Sequence, residues 1–150
     1  METKAQHLQI HHAETEADVR LCWPAFRELR PHLRSEEKFV ERWRKQRNEG
    51  YRIIYVVEKE SVAAAAGYRF FSTLAWGDVM YIDDLIALEA FQRTGLGTLL
   101  LRYLQAEARQ AGCSSVQLDT GYHRHLAHRS YLRNGFHFDC HHMAWPAGGD

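Results

Sequence analysis

Long apolar runs are missing from this chain. Polar or charged residues interrupt every hydrophobic stretch well short of the roughly 20 residues that cross a bilayer, so no membrane partner is expected. The opening Met-Glu-Thr-Lys-Ala-Gln-His is polar and does not read as a signal peptide. An excess of charge of one sign is missing too: 19 basic residues balance 19 acidic ones. Binding to DNA or RNA by phosphate neutralisation is therefore not expected. Cysteine is scarce, with Cys22, Cys113 and Cys140 odd in number, far apart and without a CxxC pair. That excludes a disulfide framework and fits a reducing cytoplasm. Proline is limited to 3 residues and no Pro/Gly-rich linker or repeat divides the 150 residues, so one domain over 1–150 with one core is expected.

Histidine, by contrast, is plentiful, with ten residues that include His123, His125 and His128 and the adjacent His141 and His142. No cysteine or carboxylate stands beside them at a recognisable ligand spacing, and no metal is expected.

Apolar periodicity orders the rest. Leu8 to His12 reads as a short strand. Val19, Leu21, Cys22, Ala25, Phe26 and Leu29 fall at helical spacing over Glu16 to Leu29. Arg-Pro-His-Leu at 30 to 33 breaks that helix, and Ser35 is placed to cap a second one ending near Arg47. Tyr51 to Glu58, Val62 to Phe71 and Asp78 to Leu88 read as an antiparallel meander with turns at Lys59 to Ser61 and Ser72 to Gly77. A long helix follows from Leu96 and stops at Gly112. Then come a strand over Ser115 to Asp119, a helix over Leu126 to Arg133, and one last strand, or two short ones, over Phe136 to Trp145. This order predicts an α/β fold, a mixed and mainly antiparallel sheet with helices on both faces.

Gln92-Arg93-Thr94-Gly95-Leu96-Gly97 joins a strand to the long helix. Glycine there lets the backbone turn tightly, and the N-H groups and dipole of the helix start attract phosphate oxygens. No Lys-Ser/Thr follows, so this is no Walker A loop, and the full GxGxxG of the dinucleotide folds is absent. A Gly-x-Gly alone also suits a turn that merely packs.

Its context is more specific. The stretch Tyr81 to Gly97, with Asp83-Asp84-Leu85-Ile86-Ala87 spaced ahead of Gln92 to Gly97, resembles the donor-binding motif of the GNAT superfamily of N-acetyltransferases. Tyr131-Leu-Arg-Asn-Gly135-Phe136 is similar to a second signature of that family. The resemblance implies acetyl-CoA as donor, CoA as product and an amine as acceptor. It implies that the backbone of Leu85, Ile86 and Ala87 takes the pantetheine arm as an added strand. It further implies that the pyrophosphate lies on the N-H groups of Gln92, Arg93, Thr94, Gly95, Leu96, Gly97 and Thr98. Where many members carry an Asn after the strand that follows the long helix, this chain has Arg124.

Acetyl transfer to an amine calls for a base and for an acid at the leaving thiolate. Asp83 and Asp84 stand in a strand apolar on both faces, where an unpartnered carboxylate is costly. Alternation puts them on opposite faces. In family members with such a pair the first is often catalytic, which favours Asp83; the alternative is that both only pair with arginine or accept N-H bonds. The family motif makes Tyr131 the acid, against a core aromatic with a satisfied hydroxyl. His128, one turn earlier, reads either as a site residue or as a packing histidine.

Family architecture places the acceptor between the first helix pair and the turn joining the third and fourth strands. That brings in Trp23, Phe26, Arg30, His32 and Arg34 on one side and Phe70, Phe71 and Trp76 on the other. Aromatics with cations suit a partly apolar amine bearing an acidic group. Equally, the aromatics are core and the arginines solvated. The sequence thus favours a small-molecule amine N-acetyltransferase, with two alternatives: acetylation of a protein N-terminus or lysine, or a non-catalytic CoA-binding sensor. Dimerisation is common in the family, so a homodimer is possible, with the exposed edge of the last strand available to mediate it.

Overall fold

The computed structural model describes residues 8–92 and 94–148. The chain divides into two units, one ending at Leu118 and the other starting at Asp119.

In the first unit, β1 (Ile10–His12) leads to Thr15, whose hydroxyl accepts from the Asp18 amide while the Asp18 carboxylate accepts from the Thr15 amide. This reciprocal cap starts α1 (Glu16–Leu21). The helix expected over Glu16 to Leu29 is two helices, the second being α2 (Trp23–Leu29). Pro24 is the reason. It has no N-H for the Arg20 carbonyl and its ring crowds that carbonyl, so the chain turns at Cys22 and Pro24 opens the new helix. Ser35 caps α3 (Glu36–Arg47) as expected, its Oγ accepting from the Lys38 amide at 3.2 Å.

Strands β2 (Arg52–Glu58), β3 (Ser61–Thr73) and β4 (Gly77–Ala87) form the meander. Lys59 and Glu60 both take positive φ, 51° and 65°, the backbone of a two-residue hairpin turn. Helix α4 (Leu96–Gln110) crosses over to β5 (Ser115–Leu118), which pairs with β4 in parallel. The sheet is five-stranded in the order β1-β2-β3-β4-β5, antiparallel except for that last pair. Strand alternation divides the core. Ile53, Tyr55, Ala65 and Ile86 pack with Val19, Cys22, Phe26, Phe39 and Trp43 of α1, α2 and α3. Leu96, Leu100, Leu101, Leu104 and Ala108 of α4 are buried towards β2, β3 and β4 from the other side. Each such leucine contributes about 1.5–3 kcal/mol.

The second unit holds α5 (His125–Arg133), which ends at Asn134 and Gly135, the glycine at φ 87°. The strand expected over Phe136 to Trp145 does not form. The Phe136 amide returns to the Tyr131 carbonyl, and beyond it Phe138, Met143 and Trp145 are 69%, 92% and 85% exposed. The alternation Phe136, Phe138, Cys140 stops at the adjacent His141 and His142. Among the described residues this segment has neither a ladder partner nor a face to bury, and a strand needs both.

Candidate active site

The site begins with an irregularity in a ladder. Tyr68 pairs with Ile82 and Gly67 with Asp84, so Asp83 is an extra residue, a β-bulge in β4. Alternation fails across a bulge. The Asp83 carboxylate accepts two bonds from Arg69 of β3, Nε to Oδ1 at 3.0 Å and Nη2 to Oδ2 at 2.8 Å. Asp84 accepts from the Tyr51 hydroxyl at 2.6 Å and from Arg30 Nε at 3.0 Å. The Arg69 guanidinium also lies 5.5 Å from the centre of the Tyr51 ring. Both aspartates therefore join one cluster, and their expected placement on opposite faces is corrected. Arg30 Nη2 donates to the Asp83 carbonyl at 2.9 Å, so one guanidinium bridges both bulge residues.

Burial shapes the electrostatics. The Asp83 and Asp84 side chains keep 21% and 13% of their exposure. Desolvation pushes the Asp83 carboxyl above its ordinary value, the Arg69 bonds and charge pull it back, and the Asp84 charge pushes it further up. Tyr51 is raised well above an ordinary phenol, first by burial and then by the Asp84 charge. It stays a neutral donor.

β5 pairs with β4 only from Val79 to Ile82, and β4 continues to Ala87 without it. The Leu88 amide donates to the Ala63 carbonyl, which makes Ala64 and Ala87 a non-hydrogen-bonded pair. The amides and carbonyls of Ala87 and, two residues earlier, Leu85 thus point away from β3, towards the edge that β5 leaves open. Gln92 Nε2 lies 3.4 Å from the Ala87 carbonyl. Gly95 is the N-cap of α4 at φ 86°, a left-handed backbone, and brings no side-chain cap. The first N-H groups of a helix have no acceptor within it. A Cβ on Gly97 would meet nothing within 4 Å, so the helix start faces open space there. An open strand edge and an uncapped, glycine-lined helix start fit a thioester arm with a pyrophosphate. Arg93 lies outside the described residues.

Of the expected acceptor residues, Trp23 and Phe26 meet at Phe39, and the others lie apart from them. Phe26 is 2% exposed and stacks on Phe39, so its ring is core and not a pocket wall. Trp23 stacks on Phe39 as well. Arg30 is directed to β4, though 41% of its side chain remains exposed. His32 and Arg34 are exposed. Phe70 packs edge-on against Tyr68, while Phe71 meets Tyr81. Trp76 lies in the β3-β4 turn, about 20 Å along the strand from the bulge at ~3.3 Å per residue. In the second unit, Tyr131 is buried with its ring edge-on to Phe136, and Arg124 precedes α5 with its amide on the Gly121 carbonyl. His128 Nε2 reaches the Gly121 carbonyl at 2.9 Å, a local bond. Among the described residues no group of three or more His, Cys, Asp or Glu could hold a metal ion, and no helix is long and apolar enough to cross a membrane.

Sequence reasoning missed Tyr51 and Arg69. The signals were an arginine inside an otherwise apolar strand opposite an acidic pair, and Gly67 in a strand interior, which marks a close approach.

Known proteins resemble this chain in sequence and in fold. The sequence model of the acetyltransferase (GNAT) family matches residues 16–136. The aminoalkylphosphonate N-acetyltransferase of Salmonella typhimurium is 40% identical over 55 residues, covering 37% of this chain and only 36% of that protein. An uncharacterized N-acetyltransferase of Bacillus subtilis is 29% identical over 109 residues, 73% of this chain and 77% of its own. Among solved structures, aminoglycoside N-acetyltransferase AAC(6')-Iy in complex with CoA superposes with a TM-score of 0.80 at 12% identity, covering 93% of this chain and 94% of that one.

Proposed function

The chain belongs to the GNAT family of acetyltransferases, and from that premise we propose that it moves an acetyl group from acetyl-CoA to the primary amine of a small molecule. The observation that carries this reading is the open edge of β4 at Leu85 and Ala87, one loop ahead of the uncapped start of α4. The family match runs from residue 16 to residue 136 and takes in residues of both units, which supports reading the chain as one N-acetyltransferase domain.

When bound, acetyl-CoA supplies an activated thioester. In this proposal the outward amides and carbonyls of Leu85 and Ala87 bond its pantetheine arm, with Ile86 between them anchoring in the core. The α4 start, from Gln92 and Thr94 to Thr98, receives the pyrophosphate, and Gly97 leaves room for it. Asp83 takes the proton from the attacking nitrogen as the new C-N bond forms. Its raised pKa suits it to accept that proton, and Arg69 fixes its orientation. Tyr131 gives a proton to the departing thiolate, the role its motif implies. The acceptor is a small amine with an anionic group. The aminoalkylphosphonate N-acetyltransferase activity of the Salmonella relative supports that, as do the exposed His32 and Arg34.

Arginine pairing of both aspartates favours a second reading, a CoA-binding module without turnover. Thiol release from acetyl-CoA with a panel of primary amines separates the two. A catalyst loses at least 100-fold of kcat in Asp83→Asn, and Tyr131→Phe lowers kcat as well, with donor binding kept in both. A module shows no release in any form.

A further inference from the structure

The two hydrogen-bond donors that hold Asp84 come from distant parts of the chain. Arg30 follows the last residue of α2, and Tyr51 precedes β2. Arg30 reaches Asp84 Oδ1 with Nε and the Asp83 carbonyl with Nη2, while Tyr51 donates to Asp84 Oδ2. Both carboxylate oxygens of Asp84 are thereby occupied, and the carbonyl of the extra residue is tied to the same guanidinium. A bulge is otherwise the loosest point of a ladder, since its extra residue has no partner across the strand. Here it is pinned from two sides, immediately before the open edge at Leu85.

We propose that Arg30 and Tyr51 are positioning residues, which use Asp84 as a fixed anchor to hold the bulge so that Asp83 meets the attacking amine in one geometry. This rests on the acetyl-transfer reading above. It assigns Asp84 to structure and Asp83 to chemistry, and it takes Arg30 out of the acceptor site. The groups facing Asp83 are Arg69 from β3, Asp84 from its own strand and Arg30 from the end of α2, where it is the C-cap, with Tyr51 and Glu49 reaching it through Arg69. Removing Tyr51's hydroxyl changes no charge near Asp83. Removing Arg30 takes away a cation that favours its ionised form.

The test uses full-length Tyr51→Phe and Arg30→Gln. Steady-state acetylation is followed with the fastest of 2-aminoethylphosphonate, spermidine and phenylethylamine, and acetyl-CoA affinity is measured by calorimetry. Both variants are expected to bind acetyl-CoA within about threefold of wild type and to lose tenfold or more in kcat. The acidic limb of the pH profile stays in place for Tyr51→Phe and moves to higher pH for Arg30→Gln. Wild-type kcat in Tyr51→Phe overturns the proposal, as does an Arg30→Gln loss confined to KM for the amine, the mark of a direct acceptor contact. A wild type that turns over none of the three amines overturns the acetyl-transfer reading itself.

Discussion

Tyr51 occupies the space that any side chain on Gly67 would need. A methyl group built on Gly67 would overlap the tyrosine hydroxyl and ring, and that same hydroxyl bonds Asp84, the residue paired with Gly67 across the ladder. A bare backbone at 67 therefore lets a buried phenol reach the acidic pair.

Gly67→Ala should cost about 1–3 kcal/mol through overpacking, a fall in Tm of roughly 3–10 °C for a chain of this size. The cost should shrink in a Tyr51→Ala background, because the clash is between those two groups. Thermal unfolding of both single variants and the double variant checks this: a coupling of about 0.5–3 kcal/mol is expected, and additive costs contradict the contact.

Arg69 is the main group holding Asp83 ionised against its burial. Activity that needs the carboxylate rises with pH through the Asp83 pKa, so the acidic limb of kcat/KM should lie above the ordinary 3.8 of an aspartate. Arg69→Gln removes the stabilising charge and should shift that limb to still higher pH. It should also cost about 2–3 kcal/mol, since a half-buried carboxylate loses both of its bonds.

Stability carries the same signature without any substrate. The folded-state pKa of Asp83 is raised, so the folded protein holds this proton more tightly than the unfolded chain. The contribution is present in full below 3.8 and is lost as pH rises through the folded value. The Tm of wild type relative to Asp83→Asn should therefore fall as pH increases across that window. A difference independent of pH would place Asp83 in an unperturbed setting.

Cysteine chemistry reports on the core. Burial pushes the Cys22 thiol up to about 12, while Cys140 is exposed. A thiol reagent at neutral pH should label Cys140 quickly and Cys22 only as fast as the protein unfolds. Fast labelling of Cys22, followed by mass spectrometry of the peptides, would show that α1 and α2 open locally.

Much of this was legible in the sequence. Ser35 announced α3, the alternation from Tyr51 to Leu88 announced the meander, and the glycines at 95 and 97 announced the helix start. Three features were not. Pro24 splits a helix whose apolar spacing continues unbroken through it. The tail after Gly135 alternates only as far as Cys140 and never acquires the partner strand that alternation alone cannot supply. At the site, an extra residue in a strand leaves no mark on composition, so the Asp83 bulge, and with it the shared face of the two aspartates, was hidden. Arg30 could be assigned only once its guanidinium was seen on β4, because an arginine before a proline reads equally as a solvated cation.

Donor binding at the start of α4 is the claim on which the rest depends, and calorimetry with acetyl-CoA on wild type and Gly97→Glu tests it most directly. The open space around Gly97 lets glutamate enter without a clash, and a carboxylate at a helix N-terminus does not harm the fold, so the variant should keep the wild-type Tm. Wild type should bind with micromolar affinity, roughly −8 kcal/mol, and Gly97→Glu should not bind. A wild type that fails to bind, or a variant that binds as tightly, would contradict the account.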